Sequence, residues 1–164
     1  MCGIVGYIGK HQAAPVILEG LSKLEYRGYD SAGMAVFDGE QIQIKKSAGR
    51  LKVLEELTHG GATMPGTIGI GHTRWATHGA PSDANSHPHY NAEETIAVVH
   101  NGIIENYLPL KEKLLSKGYT FVSDTDTEVL AHLLDYYYKG NPLEAITKVM
   151  HRVQGSYALG IMFA

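Results

Sequence analysis

Two apolar segments interrupted by glycine constrain this chain more than anything else in it. Cys2 to Ile8 (CGIVGYI) and Thr67 to His72 (TIGIGH) are apolar, β-branched and glycine-interleaved. Both are short, and their glycines leave space for another backbone to come close, so both read as buried strands. The segments around them alternate between strand and helix patterns. Ala13 to Glu25 carries Val16, Ile17, Leu21 and Leu24 at helical spacing, with Pro15 suited to a first turn. Tyr26 to Ser31 breaks that period and reads as a loop. Ala32 to Phe37 and Gln41 to Lys46 flank Asp38-Gly39-Glu40, which is a hairpin signal. Leu51, Leu54 and Leu57 mark a short helix stopped by Gly60-Gly61.

The second half continues the alternation. Thr73 to Ala92 has no apolar period, and a loop this long inside a domain is usually functional. Ile96 to Val99 is a short strand expected to end at His100-Asn101-Gly102. A helix follows over Pro109 to Lys117, with Leu110, Leu114 and Leu115 expected inward and Gly118 as its stop. Thr125-x-x-Glu128 reads as a capping box before Val129, Leu130, Leu133 and Leu134. Pro142 to His151 is a further helix, and Tyr157 to Phe163 a last strand. Mixed hairpins and helices predict a layered α+β domain. The sequence stops on an apolar strand without a polar tail, which predicts that the domain continues beyond it.

Composition narrows the function classes. With 164 residues, 44% hydrophobic and 19% charged, one globular domain with a real core is expected. The net charge is −3 and no basic run stands out, so neither nucleic acid nor an anionic membrane is an expected partner. The opening lacks a charged n-region, and no apolar stretch approaches the ~20 residues of a membrane helix. A single cysteine, Cys2, allows no internal disulfide and fits a reducing compartment, most simply the cytoplasm.

Several residues carry possible chemistry. Removal of Met1 would put a thiol and a free α-amine on Cys2. A free thiol titrates near about 8.5 and an α-amine at about 7.7–8.0, so the amine can take the thiol proton. The plainer reading is a small buried hydrophobe. Asn101-Gly102 offers a side-chain amide and an accessible backbone N–H, which suit an oxyanion; an ordinary Asn-Gly turn is the alternative. Arg74 suits a bidentate grip on a carboxylate, with Thr77 and His78 beside it, or else a structural salt bridge. Trp75, the only tryptophan, sits in the same polar loop. Asp126 would stay ionised at a helix start and bind an ammonium, or simply cap that helix. His87-x-His89 could chelate a metal, but HExxH and cysteine ligands are lacking, so no metal is expected.

Taken together, these segments resemble one family. Cys2-Gly3-Ile4-Val5-Gly6 is similar to the opening of the N-terminal-nucleophile, or class II, glutamine amidotransferases. Tyr26 to Gly33, His72 to Gly79, His100 to Asn106 and Ser123 to Glu128 resemble, in order, the glutaminase domain of the glucosamine-6-phosphate synthases. The resemblance implies a four-layer αββα sandwich, with residues 1–164 as a glutaminase domain whose C-terminal part is missing and sugar isomerase domains absent. It implies glutamine hydrolysis through a Cys2 thioester, supplying nitrogen for glucosamine 6-phosphate formation in a homo-oligomeric full-length enzyme, with no cofactor. Asn101 and Gly102 would form the oxyanion hole, and Arg27 and Gly28 would support the nucleophile. Arg74, Thr77 and His78 would hold the glutamine carboxylate and Asp126 its ammonium. Trp75 would close over the substrate, and His87 would help order the site. An amidophosphoribosyltransferase-like glutaminase, or a silent module that binds glutamine or a partner, stays open.

Overall fold

In the computed structural model, which describes residues 1–164, the chain begins with β1 (Gly3–Ile8), α1 (Ala13–Ser22), β2 (Ser31–Phe37), β3 (Ile42–Ala48), α2 (Leu51–Leu57) and β4 (Ile68–Arg74). It continues through β5 (His89–Tyr90), β6 (Ile96–Gly102), α3 (Tyr107–Ser116), α4 (Glu128–Tyr137), α5 (Pro142–Met150) and β7 (Tyr157–Phe163). The strands form two antiparallel sheets, in the orders β1-β4-β2-β3 and β5-β6-β7. Helices α1 and α2 cover the first sheet, and α4 covers the second with α3 and α5 packed against it. The four α-β-β-α layers expected from the resemblance are therefore present.

Each interface between layers has its own core. Ile17, Leu18 and Leu21 of α1 meet Ala32, Met34 and Val36 of β2. Ile70, Ala35, Ala97, Val99 and Met162 fill the space between the sheets. Leu130, Leu134 and Val149 anchor the outer helices on Ile96 and Val98. Burying each of these large side chains contributes about 1.5–3 kcal/mol. The glycines of β4 have a steric cause. A methyl group on Gly69 or Gly71 would overlap Ile17, so glycine lets α1 lie directly on the strand.

Some boundaries differ from the sequence expectation. The first helix ends at Ser22, and Glu25–Arg27 form a separate 3₁₀ turn. Thr73 and Arg74 belong to β4, and His89–Tyr90 form a strand within the expected loop. β6 runs on through His100, Asn101 and Gly102, because these pair with Leu159, Ala158 and Tyr157 of β7. Asn101-Gly102 is thus strand, not a turn. Leu115 is 48% exposed, since Tyr107, Leu110 and Leu114 of α3 are the residues that reach the neighbouring core. Only half of the capping box forms: the Glu128 N–H donates to Thr125 Oγ1 at 3.4 Å, but the reciprocal bond is not made. Helix α4 starts at Glu128, and the Glu128 carboxylate turns back to the Val122 and Ser123 N–H groups at 2.9 and 2.8 Å.

Candidate active site

Cys2 sits one residue before β1, and the pairing of Gly3 with Thr73 carries its side chain to the end of β4. The Trp75 backbone N–H donates to Cys2 Sγ at 3.2 Å. From the other sheet, β6 brings Asn101, whose Nδ2 donates to the Cys2 carbonyl at 3.3 Å. A cavity of about 480 Å3 opens at this meeting point, with Cys2, Arg74, Trp75, Asn101, Gly102 and Asp126 among its walls. Arg27, Thr77 and His87 also line it. Gly102 has φ +119°, and a Cβ there would overlap the Ser156 carbonyl, so only glycine fits this point of the wall.

The structural salt bridge weighed for Arg74 does not form. Arg74 is buried, and Nη2 donates to the carbonyls of His78 and Gly79, which ties down the loop. Nη1 is buried without a protein partner. Asp126 is also buried, and the cap reading fails for it: Oδ2 accepts the Ile104 N–H at 2.8 Å instead of a helix N–H. Its Oδ1 lies 4.0 Å from His78 Nδ1. A cation and a carboxylate thus stand on the walls of the same cavity.

Two expected residues lie off the cavity wall. Gly28 is a turn residue with φ +76°, and its carbonyl accepts from the Met1 ammonium at 3.1 Å. The Arg27 carbonyl accepts from the same ammonium at 2.8 Å. These two carbonyls hold the N-terminal ammonium, while the Arg27 guanidinium donates to Met1 Sδ at 3.9 Å. His78 packs edge-on against Tyr107 and reaches the site through its carbonyl and its approach to Asp126.

The histidines form a neutral stack under the cavity. His72 and His87 stack face to face at 4.1 Å, and His87 meets His89 edge-on at 4.8 Å. Each of the two histidines weighed as a chelate has one ring nitrogen engaged within the protein. His87 Nδ1 accepts the His100 N–H, and His89 Nε2 pairs with Thr125 Oγ1. Burial drives the His72 pKa down to about 4 and depresses His87 and His89 well below the usual range. Burial also lowers His100, against the pull of Asp126. The sequence reading missed Asp30. Its Oδ2 accepts the Ala76 N–H at 2.6 Å, and its own N–H donates to the Arg74 carbonyl at 2.7 Å. Asp30 therefore anchors both ends of the turn that carries Trp75. Only its place in the Tyr26 to Gly33 run marked it.

The two facing antiparallel sheets between helical layers, with a cysteine at the head of β1, define the N-terminal-nucleophile type of sandwich. Residues 72–164 match the family described as the glutamine amidotransferase domain, and the chain belongs to that family. It is 65% identical over 99% of its length to the glutamine–fructose-6-phosphate aminotransferase (isomerizing) of Caldanaerobacter subterraneus subsp. tengcongensis. It is 64% identical over 99% of its length to the enzyme of the same name from Clostridium tetani. In both cases the chain spans 26% of the relative's length. Among solved structures, the glutamine phosphoribosylpyrophosphate amidotransferase of B. subtilis superposes with a TM-score of 0.83 at 30% identity, over 99% of this chain and 35% of that one.

Proposed function

We propose that this chain is the glutaminase part of a glutamine–fructose-6-phosphate aminotransferase. The observation that carries the reading is one cavity holding the Cys2 thiol, the Asn101 amide, the Arg74 guanidinium and the Asp126 carboxylate. Glutamine is a zwitterion with an amide at its far end, and it needs opposite charges at one end and a nucleophile at the other. Arg74, through its unpartnered Nη1 and with Thr77 and His78 nearby, would take the carboxylate. Asp126 would take the ammonium. Residues 1–164 would then form most of a glutaminase domain, with sugar isomerase domains elsewhere in a homo-oligomeric protein.

The chemistry balances on this chain's own groups. Removal of Met1 frees the Cys2 α-amine, which takes the thiol proton. The thiolate attacks the side-chain carbon of glutamine, and the Asn101 amide with the Gly102 N–H stabilises the oxyanion. The C–N bond breaks, and ammonia leaves with the proton held by the amine. Water then attacks the thioester carbon, passing one proton to the same amine, and the carbonyl oxygen becomes a second oxyanion. Cleavage of the C–S bond releases glutamate and returns the thiol. Ammonia would pass to fructose 6-phosphate. A thiol in this role suits a reducing compartment such as the cytoplasm.

An amidophosphoribosyltransferase glutaminase is the second reading, favoured by the superposition on the B. subtilis structure. The 65% identity to the fructose-6-phosphate enzyme supports the first over it. Intact mass before and after a glutamine-mimicking diazoketone tests the site. Loss of Met1 and one adduct on Cys2 is the expected result. A protein that has lost Met1, is folded, and takes no adduct would refute the glutamine site.

A further inference from the structure

Among the groups beneath the cavity, His72 is the one whose contacts dictate how a site residue is turned. His72 lies on β4 and is completely buried. Its Nε2 lies 2.9 Å from the His100 carbonyl and 2.8 Å from Asn101 Oδ1. A backbone carbonyl can only accept, so Nε2 must carry the proton. The atom of Asn101 that faces Nε2 must then also accept, because two donors cannot meet at that distance. That makes it Oδ1, and it turns Nδ2 toward Cys2, where it donates to the Cys2 carbonyl at 3.3 Å. The two ends of an amide are nearly identical in shape, so packing alone does not choose between them.

We propose that His72 is the positioning residue of the oxyanion site, holding the Asn101 amide so that its N–H end, and not its carbonyl, faces the reacting carbon. The proposal rests on the glutaminase reading. A carbonyl oxygen presented to an oxyanion would repel it, so the turned-over amide is an inhibitory conformer and not a neutral one. The ring that makes the choice is itself held on one face. One face stacks on His87 at an interplanar angle of 12°, and Nδ1 is buried with no partner that could draw the ring round. Burial keeps the ring neutral, so its single proton stays on Nε2 in the working range. His72 also links the two sheets, since it leaves β4 and bonds to β6.

The test is a double-mutant cycle in the intact protein, read by glutamine hydrolysis. The amide of glutamine reproduces the Nε2 position of histidine, whereas asparagine is too short. We expect His72→Asn to lower kcat by at least about tenfold, and by no more than the roughly 10²–10³ that deleting one oxyanion donor costs, with KM little changed. His72→Gln is expected to recover most of that loss. In an Asn101→Ala background, His72→Asn is expected to cost nothing further. Equal losses in the two backgrounds, or a rise in KM at unchanged kcat, overturn the proposal. If His72→Asn does not fold, histidine 15N spectra of the unaltered protein decide. An Nε2-protonated neutral His72 is expected, and an Nδ1-protonated or cationic ring overturns the assignment. An unaltered protein without glutaminase activity sinks the functional reading instead, and leaves the tautomer measurement standing.

Discussion

The backbone N–H of Trp75 points at the sulfur of Cys2 from 3.2 Å, while Trp75 as a residue is 54% exposed. The contact to sulfur therefore belongs to the backbone, and the indole is free to serve the cavity mouth. This separates two roles of one residue. Trp75→Ala keeps the N–H and is expected to leave diazoketone labelling of Cys2 within about threefold, whereas Trp75→Pro removes it. The lost hydrogen bond, about 0.5–1.5 kcal/mol, predicts labelling slower by up to about tenfold in the proline variant. Equal labelling of both variants would show that the contact does nothing for the thiol.

Cys2 and Asn101 are expected to fail differently. Cys2→Ala removes the only sulfur nucleophile and abolishes ammonia release. Asn101→Ala keeps the nucleophile and lowers the rate by about 10²–10³, the cost of one oxyanion donor. Steady-state kinetics with glutamine checks both, and a wild-type rate in the Asn101 variant refutes its role. A protein that retains Met1 is expected to be inactive, because the peptide bond removes the amine base. Its ammonium would remain bound to the Arg27 and Gly28 carbonyls, as in this structure.

Arg74 and Asp126 are expected to act on binding. Arg74→Gln and Asp126→Asn each remove a charge-assisted hydrogen bond worth about 1.5–3 kcal/mol. That corresponds to an increase in KM for glutamine of about 10- to 100-fold. Asparagine at 126 keeps an acceptor for the Ile104 N–H, so the fold is expected to hold. A loss confined to kcat in either variant contradicts the zwitterion clamp.

The buried histidines predict acid sensitivity. The His72 pKa falls from 6.5 to about 4 in the folded chain, and His87, His89 and His100 are lowered as well, all chiefly by burial. Between pH 6.5 and 4 the unfolded chain binds protons that the folded chain refuses. Stability from His72 is therefore full above 6.5 and falls as pH drops to about 4, by about 1.4 kcal/mol per unit, and the other three histidines act in the same direction. Glu128 extends the loss. Burial raises it, but hydrogen bonds from His132, Ser123 and Val122 outweigh this and hold it at about 2, so its contribution disappears between pH 4.5 and 2. Urea midpoints at pH 7, 6 and 5 measure the effect, and a flat profile over that range contradicts it.

Much of the fold is legible along the chain because it rests on local spacing. The 3.6-residue period of Ile17 and Leu21, the Asp38-Gly39 hairpin and the glycines of β4 are covalent facts of the sequence. They predict helix, turn and close-packed strand without knowledge of any partner. The chemical types of the site were legible in the same way, since Cys2, Arg74, Asn101 and Asp126 each stand in a short run with recognisable chemistry. What those runs do not contain is register. Asn101-Gly102 is a turn by composition and a strand in the molecule, because β7 supplies partners from more than fifty residues later.

By itself, then, the sequence determined which elements form and which functional groups are available, because propensity and periodicity act over a few neighbouring residues. The tertiary structure alone decided what those groups face. Sheet pairing puts Cys2 beside Trp75 across 73 positions, and sheet stacking brings Asn101 to Cys2 across 99. The turn of the Asn101 amide, the anchoring of Ala76 by Asp30 and the direction of His78 depend on contacts of that range. A local pattern cannot specify them, since each is set by a partner that only the folded chain brings into contact.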